Sequence, residues 1–351
     1  MNWYLVLVLA LVMSCGPSSS EKQTEEVNSS VEVIHHPDAQ KVDVMIDNQL
    51  FTSYCWPDKV YKPIFYPIMT AGGHFVTRGY PLATRDGERG DHRHQVGAWF
   101  NYGSVNGNDF WGNGAEGLTR KNLGQVKLLG IESVESMGDK GLIVARSSWL
   151  DSVGQELLTE HSTFEIGKAE NYNYIDRTTT LTASNGDVVF EDTKEGSFAI
   201  RLNRQLELPT DGDVTVLRKQ ANGSFEESKD LDNSTVTGDY LSSEGITGYD
   251  VWGTRAKWMQ LSGEIEGEKV SVVIFDHPNN VNYPTYWHAR GYGLFSANPF
   301  GVEDFVDGSE PFNFSLKKGE SFTQNYRIVI GSDVGFTPEQ INQIAEDFNN
   351  K

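Results

Sequence analysis

Cysteine is nearly absent, with two in 351 residues. If Cys15 is consumed in processing, as argued below, Cys55 is the only thiol left. A lone thiol excludes an intrachain disulfide and a cysteine-based zinc site, so Cys55 is expected to be structural. Basic charge is scarce as well. Lys and Arg number 29 against 49 Asp and Glu, a net charge of −20, whereas nucleic-acid binding depends on clustered Lys and Arg. Nucleic acid is therefore excluded as a partner. Long apolar runs are missing, save Trp3 to Met13, which is too short for a permanent bilayer span. Helical periodicity is equally rare.

The one apolar run has the length of a signal-peptide core. It ends in Val12-Met13-Ser14-Cys15, the pattern of a lipobox whose cysteine is lipidated, although no Lys or Arg precedes it. The expected organisation is a lipoprotein signal peptide over 1–14, a lipid-anchored tether over 15–30 and one large domain over 31–351. The tether, GPSSSEKQTEEVNSS after the cysteine, is too polar to order itself. The chain is expected to be exported, periplasmic or at the cell surface, and held to a membrane only through Cys15.

From Val31 onward the apolar period is two. Val42, Val44 and Ile46 alternate, as do Val270, Val272 and Ile274 within a longer apolar run, and Leu158, Phe164 and Ile166 share a parity. Further strands are expected over 142–146, 172–181, 197–202, 214–217, 294–297, 312–316 and 322–330. The predicted fold is all-β, a large β-sandwich or a pair of them. One helix is expected, over 338–349. Thr337 is its N-cap, Pro338 takes the first helical position and Gln340 completes a capping box, with Ile341, Ile344, Ala345 and Phe348 forming an apolar stripe.

The chemistry concentrates in two stretches. GDHRHQVGAWFNYGSVNGNDFW, from Gly90 to Trp111, mixes histidines, aromatics, amides and glycines. An extended chain would put His92 and His94 on one face, and Asn106-Gly107 marks a turn, so strand, turn, strand is the expected path. The second stretch, Phe275 to Gly301, follows a buried strand and carries His277, Tyr286, Trp287, His288 and Arg290 in a long loop. Two carboxylates stand apart. Glu160 shares the parity of Leu158, Phe164 and Ile166, where a buried carboxylate needs a partner or a raised pKa. Glu195 precedes a strand on which Arg201 faces opposite to Phe198, Ile200 and Leu202.

DHRHQVGAWFNYGSVNGNDFW, KEGSFAIRL, WGTRAKWMQLSGEIEG and the FDHPNN, YPT and WHARGYGLFSANPFG runs resemble, in order, the motifs of a bacterial family labelled methane oxygenase PmoA-like. The resemblance covers most of 61–330. Where that family usually reads Asp-His-Pro-His-His, His92 and His94 match while Arg93 and Gln95 depart. Its members occur beside carbohydrate-degrading genes, and the resemblance implies a galactose-mutarotase-like supersandwich. Methane oxidation itself is excluded, because it needs several membrane spans and copper ligands.

The inventory of histidines, carboxylates, arginines and tryptophans suits a carbohydrate-active enzyme of lyase, dehydratase, epimerase or hydrolase type, working by general acid–base chemistry without an organic cofactor. His92 or His94 and His288 are the expected acid and base, Glu195 or Glu160 the base or orienting group, and Arg201 and Arg290 the oxygen clamps. Arg78, Trp99, Trp111, Glu160, His277, Tyr286 and Trp287 are expected around the sugar. Arg78, Arg85, Arg89 and Arg93 suit a uronate unless Asp86, Glu88 and Asp91 neutralise them. Two alternatives stay open. One is a divalent metal on His92, His94 and His277; the other is a non-catalytic sugar-binding protein with Trp99, Trp111 and Trp287 as its stacking platform.

Overall fold

The structure, a computed structural model, describes Met1 and residues 30–112, 122–230 and 233–351. The signal peptide, the lipidation of Cys15 and the tether fall outside these residues. Among the described residues no helix is long and apolar enough to cross a membrane.

The expected all-β architecture is what the chain adopts. Two eight-stranded sheets carry it, every neighbouring pair antiparallel. The first runs Val31–His36, Lys41–Ile46, Gln49–Cys55, Ile64–Ile68, Ala98–Tyr102, Gly196–Arg201, Leu294–Asn298, Tyr286–Ala289. The second runs Asp239–Ser242, Trp258–Ile265, Glu268–Asp276, Ser321–Ser332, Tyr172–Ala183, Glu156–Lys168, Lys140–Leu150, Gln125–Met137. One core cluster joins the inner faces of both, with Phe164 of the second sheet 4.8 Å from Tyr54 and 5.0 Å from Phe65 of the first. The alternation read from Val42, Val44 and Ile46 is the alternation of burial along that strand.

The longer apolar run around Val270 to Phe275 has a different cause: both its faces are covered. Val270, Val272 and Ile274 face the inter-sheet core, while Val273 and Phe275 meet the helix Pro338–Asn349. That helix has both hydrogen bonds of its capping box, between Thr337 and Gln340, and Ile341, Ile344 and Phe348 pack it against Trp258 and Val329. Each of these three side chains contributes roughly 1.5–3 kcal/mol by leaving water. The helix is a strut on the outside of the second sheet.

Glu160 has the parity expected of it and is 3 % exposed. It accepts from Arg177 (2.6 Å), Ser162 (2.7 Å) and the Trp149 indole (2.8 Å), and the Arg177 guanidinium lies over Phe100 and Phe164. Its place is inside the sandwich, so the substrate-binding and catalytic roles expected of Glu160 are corrected to a structural one. The tryptophan platform is corrected likewise. Trp99 and Trp287 are both 0 % exposed, and the Trp287 indole donates to the Ala256 carbonyl. Their apolar area is spent on packing. Tyr286 stacks on Phe305 beneath Arg255 and does not reach the cleft described next.

Candidate functional site

The side of the first sheet turned away from the second carries Trp99, Ala199 and Leu294 in a smaller apolar cluster with Trp111 and Tyr292. The same strand parity puts Arg201 and His288 on this side, since Ile200 and Trp287 belong to the inner core. Here lies a cleft of about 520 Å³ whose walls include His92, His94, Glu195, His288, Arg290 and Tyr292. Both chemistry-bearing stretches of the sequence therefore meet in one place.

His92 and His94 share it by another route than expected. The backbone from Asp91 to Gly97 is no strand. It turns, with the Gln95 N–H donating to the His92 carbonyl at 2.9 Å and His92 itself in the left-handed region at φ 42°. Gly97, at φ 62°, takes the chain back into the sheet where a Cβ would lie 2.3 Å from the Phe65 carbonyl. Only glycine fits there. The two imidazoles end 5.8 Å apart, edge to face. After the strand Ala98–Tyr102 the expected turn is present at Val105–Asn108, with Asn106 and Gly107 both at positive φ. The return strand is replaced by bends.

Arginines build the turn from beneath. Arg78, 1 % exposed, donates to the carbonyls of Asp91 (2.9 Å), His92 (3.0 Å) and Gln95 (2.9 Å) and to the Asp91 carboxylate (2.8 Å). Arg201, fully buried, donates to the same carboxylate at 2.8 Å and to the Gln95 side chain. Neither guanidinium is free to hold a substrate, so the binding role of Arg78 and the clamp role of Arg201 are corrected to anchoring. Arg85 and Arg89 are spent on Glu88 and Glu207, each at 2.7 Å. Three of the four arginines behind the sequence signal for a uronate are therefore spent on internal charge pairing, while Arg93 is exposed.

Asp91 is the consequential residue that sequence reasoning passed over as a mere counter-charge. Its other oxygen lies 3.0 Å from His92 Nδ1. Burial pushes the Asp91 carboxyl up, but the His92 hydrogen bond and the Arg201 and Arg78 charges outweigh it and hold it well below the usual range. An ionised Asp91 fixes the His92 tautomer with its proton on Nδ1, leaving the Nε2 lone pair for chemistry. Tyr292 stacks on the His92 ring at 5.0 Å with 6° between planes. It too went unselected from the sequence, although it sits in the HARGYG run. Lys62 was missed entirely. Its ammonium donates to the His94 carbonyl at 2.7 Å beside the Trp99 ring, and burial, opposed by Asp109, pulls its pKa down to about 7.

Across the cleft are Glu195 and His288. Gly103 lets Glu195 come close, since a Cβ at 103 would lie 2.7 Å from the Glu195 Cβ. Burial raises the Glu195 pKa, Lys194 and His92 working against it and Asp109 with it. His288 is 3 % exposed, and its Nδ1 is 2.9 Å from the Lys194 carbonyl and 4.0 Å from Glu195 Oε2. A carbonyl only accepts, so Nδ1 carries the proton. Burial pulls the His288 pKa down to about 3, so of the acid and base roles left open for it the acid one is corrected: it is a neutral hydrogen-bonding group. Unfolding lets this imidazole regain an ordinary pKa near 6.5. Between about pH 6.5 and 3 the unfolded chain binds the extra proton, so its stabilising share is whole above that window and is lost as pH falls, by roughly 1.4 kcal/mol per unit. Melting temperatures from pH 7 to 4 are expected to drop more steeply in the native protein than in His288→Asn; equal slopes would refute this.

His277 is not part of the assembly. Its Nδ1 accepts the Asn279 N–H at 3.1 Å and its ring packs on Phe348 of the C-terminal helix. The three-histidine ligand set is thus not brought together, and among the described residues no group of three or more His, Cys, Asp and Glu is placed to hold a metal ion. Trp111 does line the cleft, while only 2 % exposed.

A model for a family of unknown function, DUF6807, matches residues 41–346. The chain belongs to this family. The likeness drawn from the motifs to a PmoA-like family is corrected by that match. No protein of curated function matches the DUF6807 chain. Solved structures that align with it include a protein assigned as an aldose 1-epimerase from Escherichia coli K12, at 9 % identity over 86 % of this chain and 98 % of the other, TM-score 0.35. A galactose mutarotase related enzyme from Lactobacillus acidophilus aligns at 10 % identity over 87 % and 98 %, TM-score 0.27. A galactose mutarotase-like protein from Lactobacillus casei does so at 8 % over 86 % and 99 %, TM-score 0.33. Two of these three are described as galactose-mutarotase-related or galactose-mutarotase-like, and at these scores no residue of theirs is matched to the cleft.

Proposed function

We propose that this cleft is the active site of a carbohydrate-modifying enzyme that moves protons on a sugar with side chains alone. One observation carries the reading: two titratable pairs in opposite settings, Asp91 with His92 and His288 with Glu195, line a single cavity. Environments that push such groups apart sort them into acid and base. His92, oriented by Asp91, takes a proton on Nε2. Glu195, kept protonated to higher pH by burial, returns one. Arg290 is exposed and, among the described residues, pairs with no carboxylate, so it is free to meet a developing oxyanion. His288 offers its Nε2 lone pair to a hydroxyl. The mixture of imidazole, carboxylate, guanidinium and aromatic walls suits a polyhydroxylated ring better than an apolar ligand. Epimerisation and β-elimination share this proton exchange. A passive binding role has less support, because two of its three platform tryptophans are core.

The test is incubation with neutral and uronate sugars in D2O, followed by NMR, mass and absorbance of new C=C bonds, with and without chelator. Deuterium or anomeric exchange, or an unsaturated product, is expected in both conditions. Glu195→Gln should lower kcat by about 10²–10⁴-fold. Because Glu195 acts protonated, the native rate should fall as pH rises through its elevated pKa, a limb the variant lacks. Binding without conversion of any sugar in the panel would refute the enzymatic reading.

A further inference from the structure

A second cavity, of about 410 Å³, opens beside the first and shares Arg290 and Tyr292 with it. Resting on the sugar reading of the main cleft, we propose that this cavity is a second sugar subsite, so that the substrate is an oligosaccharide and not a monosaccharide.

Three features point that way. The shared wall is held in place and charged. The Arg290 guanidinium lies 5.6 Å from the Trp252 ring and 5.9 Å from the Tyr292 ring, between aromatics that belong to the two cavities. A cation so placed reaches oxygens on either side, which a glycosidic link and its neighbouring hydroxyls provide. Next, the second cavity has an aromatic wall. Tyr249, 56 % exposed, and the half-buried Trp252 both line it. Tyr249 is pinned from behind, its hydroxyl donating to the Pro209 carbonyl at 3.1 Å. An exposed tyrosine held in this way contributes nothing to the core and offers a flat, preorganised face of the kind on which a pyranose stacks. Finally, Thr210 brings a hydroxyl and Asp213 a carboxylate to the same wall, the carboxylate also accepting from Lys229 at 2.8 Å. Each cavity falls within the range of about 300–1,000 Å³ typical of small-ligand sites. Two adjoining cavities with a common cationic post suit two consecutive rings.

The experiment compares kcat/KM for glucose with cellobiose and cellotriose, galactose with lactose, and galacturonate with its dimer and trimer. At least one dimer is expected to exceed its monomer by tenfold or more. Tyr249→Ala should cut that ratio several-fold, and Trp252→Leu should do the same, melting temperatures establishing that each variant is folded. A ratio near one, or a large ratio untouched by both variants, would overturn the subsite while leaving the acid–base reading intact. If nothing is turned over, that reading falls instead, and calorimetric titration with the same series decides the subsite. Affinity that rises from monomer to dimer and loses this gain in Tyr249→Ala supports it, and length-independent affinity overturns it.

Discussion

His92→Asn should lower kcat by about 10²–10⁴-fold, the usual worth of a positioned general base, while KM changes much less. The His92 side chain is 40 % exposed and contributes little packing beyond its stack on Tyr292, so the variant is expected to fold. The Asp91 carboxylate would remain tied to Arg78 and Arg201, and the turn with it. Steady-state kinetics beside a thermal melt separate the outcomes. Loss of kcat at an unchanged melting temperature identifies the base, whereas a kcat within threefold of native would remove His92 from the chemistry. Asp91→Asn is the informative companion. It spares the ring but releases its tautomer, and it leaves two buried guanidiniums short of a counter-charge, so both rate and stability should fall.

The largest expected effect on stability lies away from the cleft. Glu160→Ala leaves Arg177, 4 % exposed, without its carboxylate and the Trp149 indole without its acceptor. Breaking a buried pair by removing one partner costs about 3–5 kcal/mol. Chemical denaturation should register that loss, and the melting temperature should fall by roughly 5–15 °C. Glu160→Gln, which keeps an acceptor for the indole, should recover part of it. A loss below about 1 kcal/mol would show that Arg177 is solvated well enough by other means.

The contrast between His92 and Glu160 shows what could be read from the residues. Parity along a strand correctly placed Glu160 inside and Arg201 opposite Ile200, because side chains alternate whatever the strand pairs with. The capping box at Thr337 was legible for the same reason, since its bonds are local. Partners were not legible. Nothing near Glu160 in sequence names Arg177, and nothing near Asp91 names Arg201, yet those pairings decide which polar residue is structural and which is poised for chemistry. Aromatic content misled for a related reason: Trp99 and Trp287 have the composition of a sugar platform but the burial of core. His92 and His94 were rightly placed together and wrongly assigned to a strand, because the turn that holds them is stabilised by Arg78 from outside the motif.

The two guanidiniums beneath Asp91 also bear on when the cleft exists at all. Arg201 and Asp91 are 110 positions apart, and Arg89 and Glu207 118. In the second sheet the strands Gln125–Met137, Lys140–Leu150 and Glu156–Lys168 each pair with the next strand of the chain, the last of them with Tyr172–Ala183, through short connections. The first sheet instead sets Ala98–Tyr102 against Gly196–Arg201, and that strand against Leu294–Asn298. Each such contact closes a long loop and is slow to form relative to a hairpin. Competence is thus a property of the completed topology: no stretch shorter than that from Arg78 to Tyr292 contains both the cleft and the charges that hold it open.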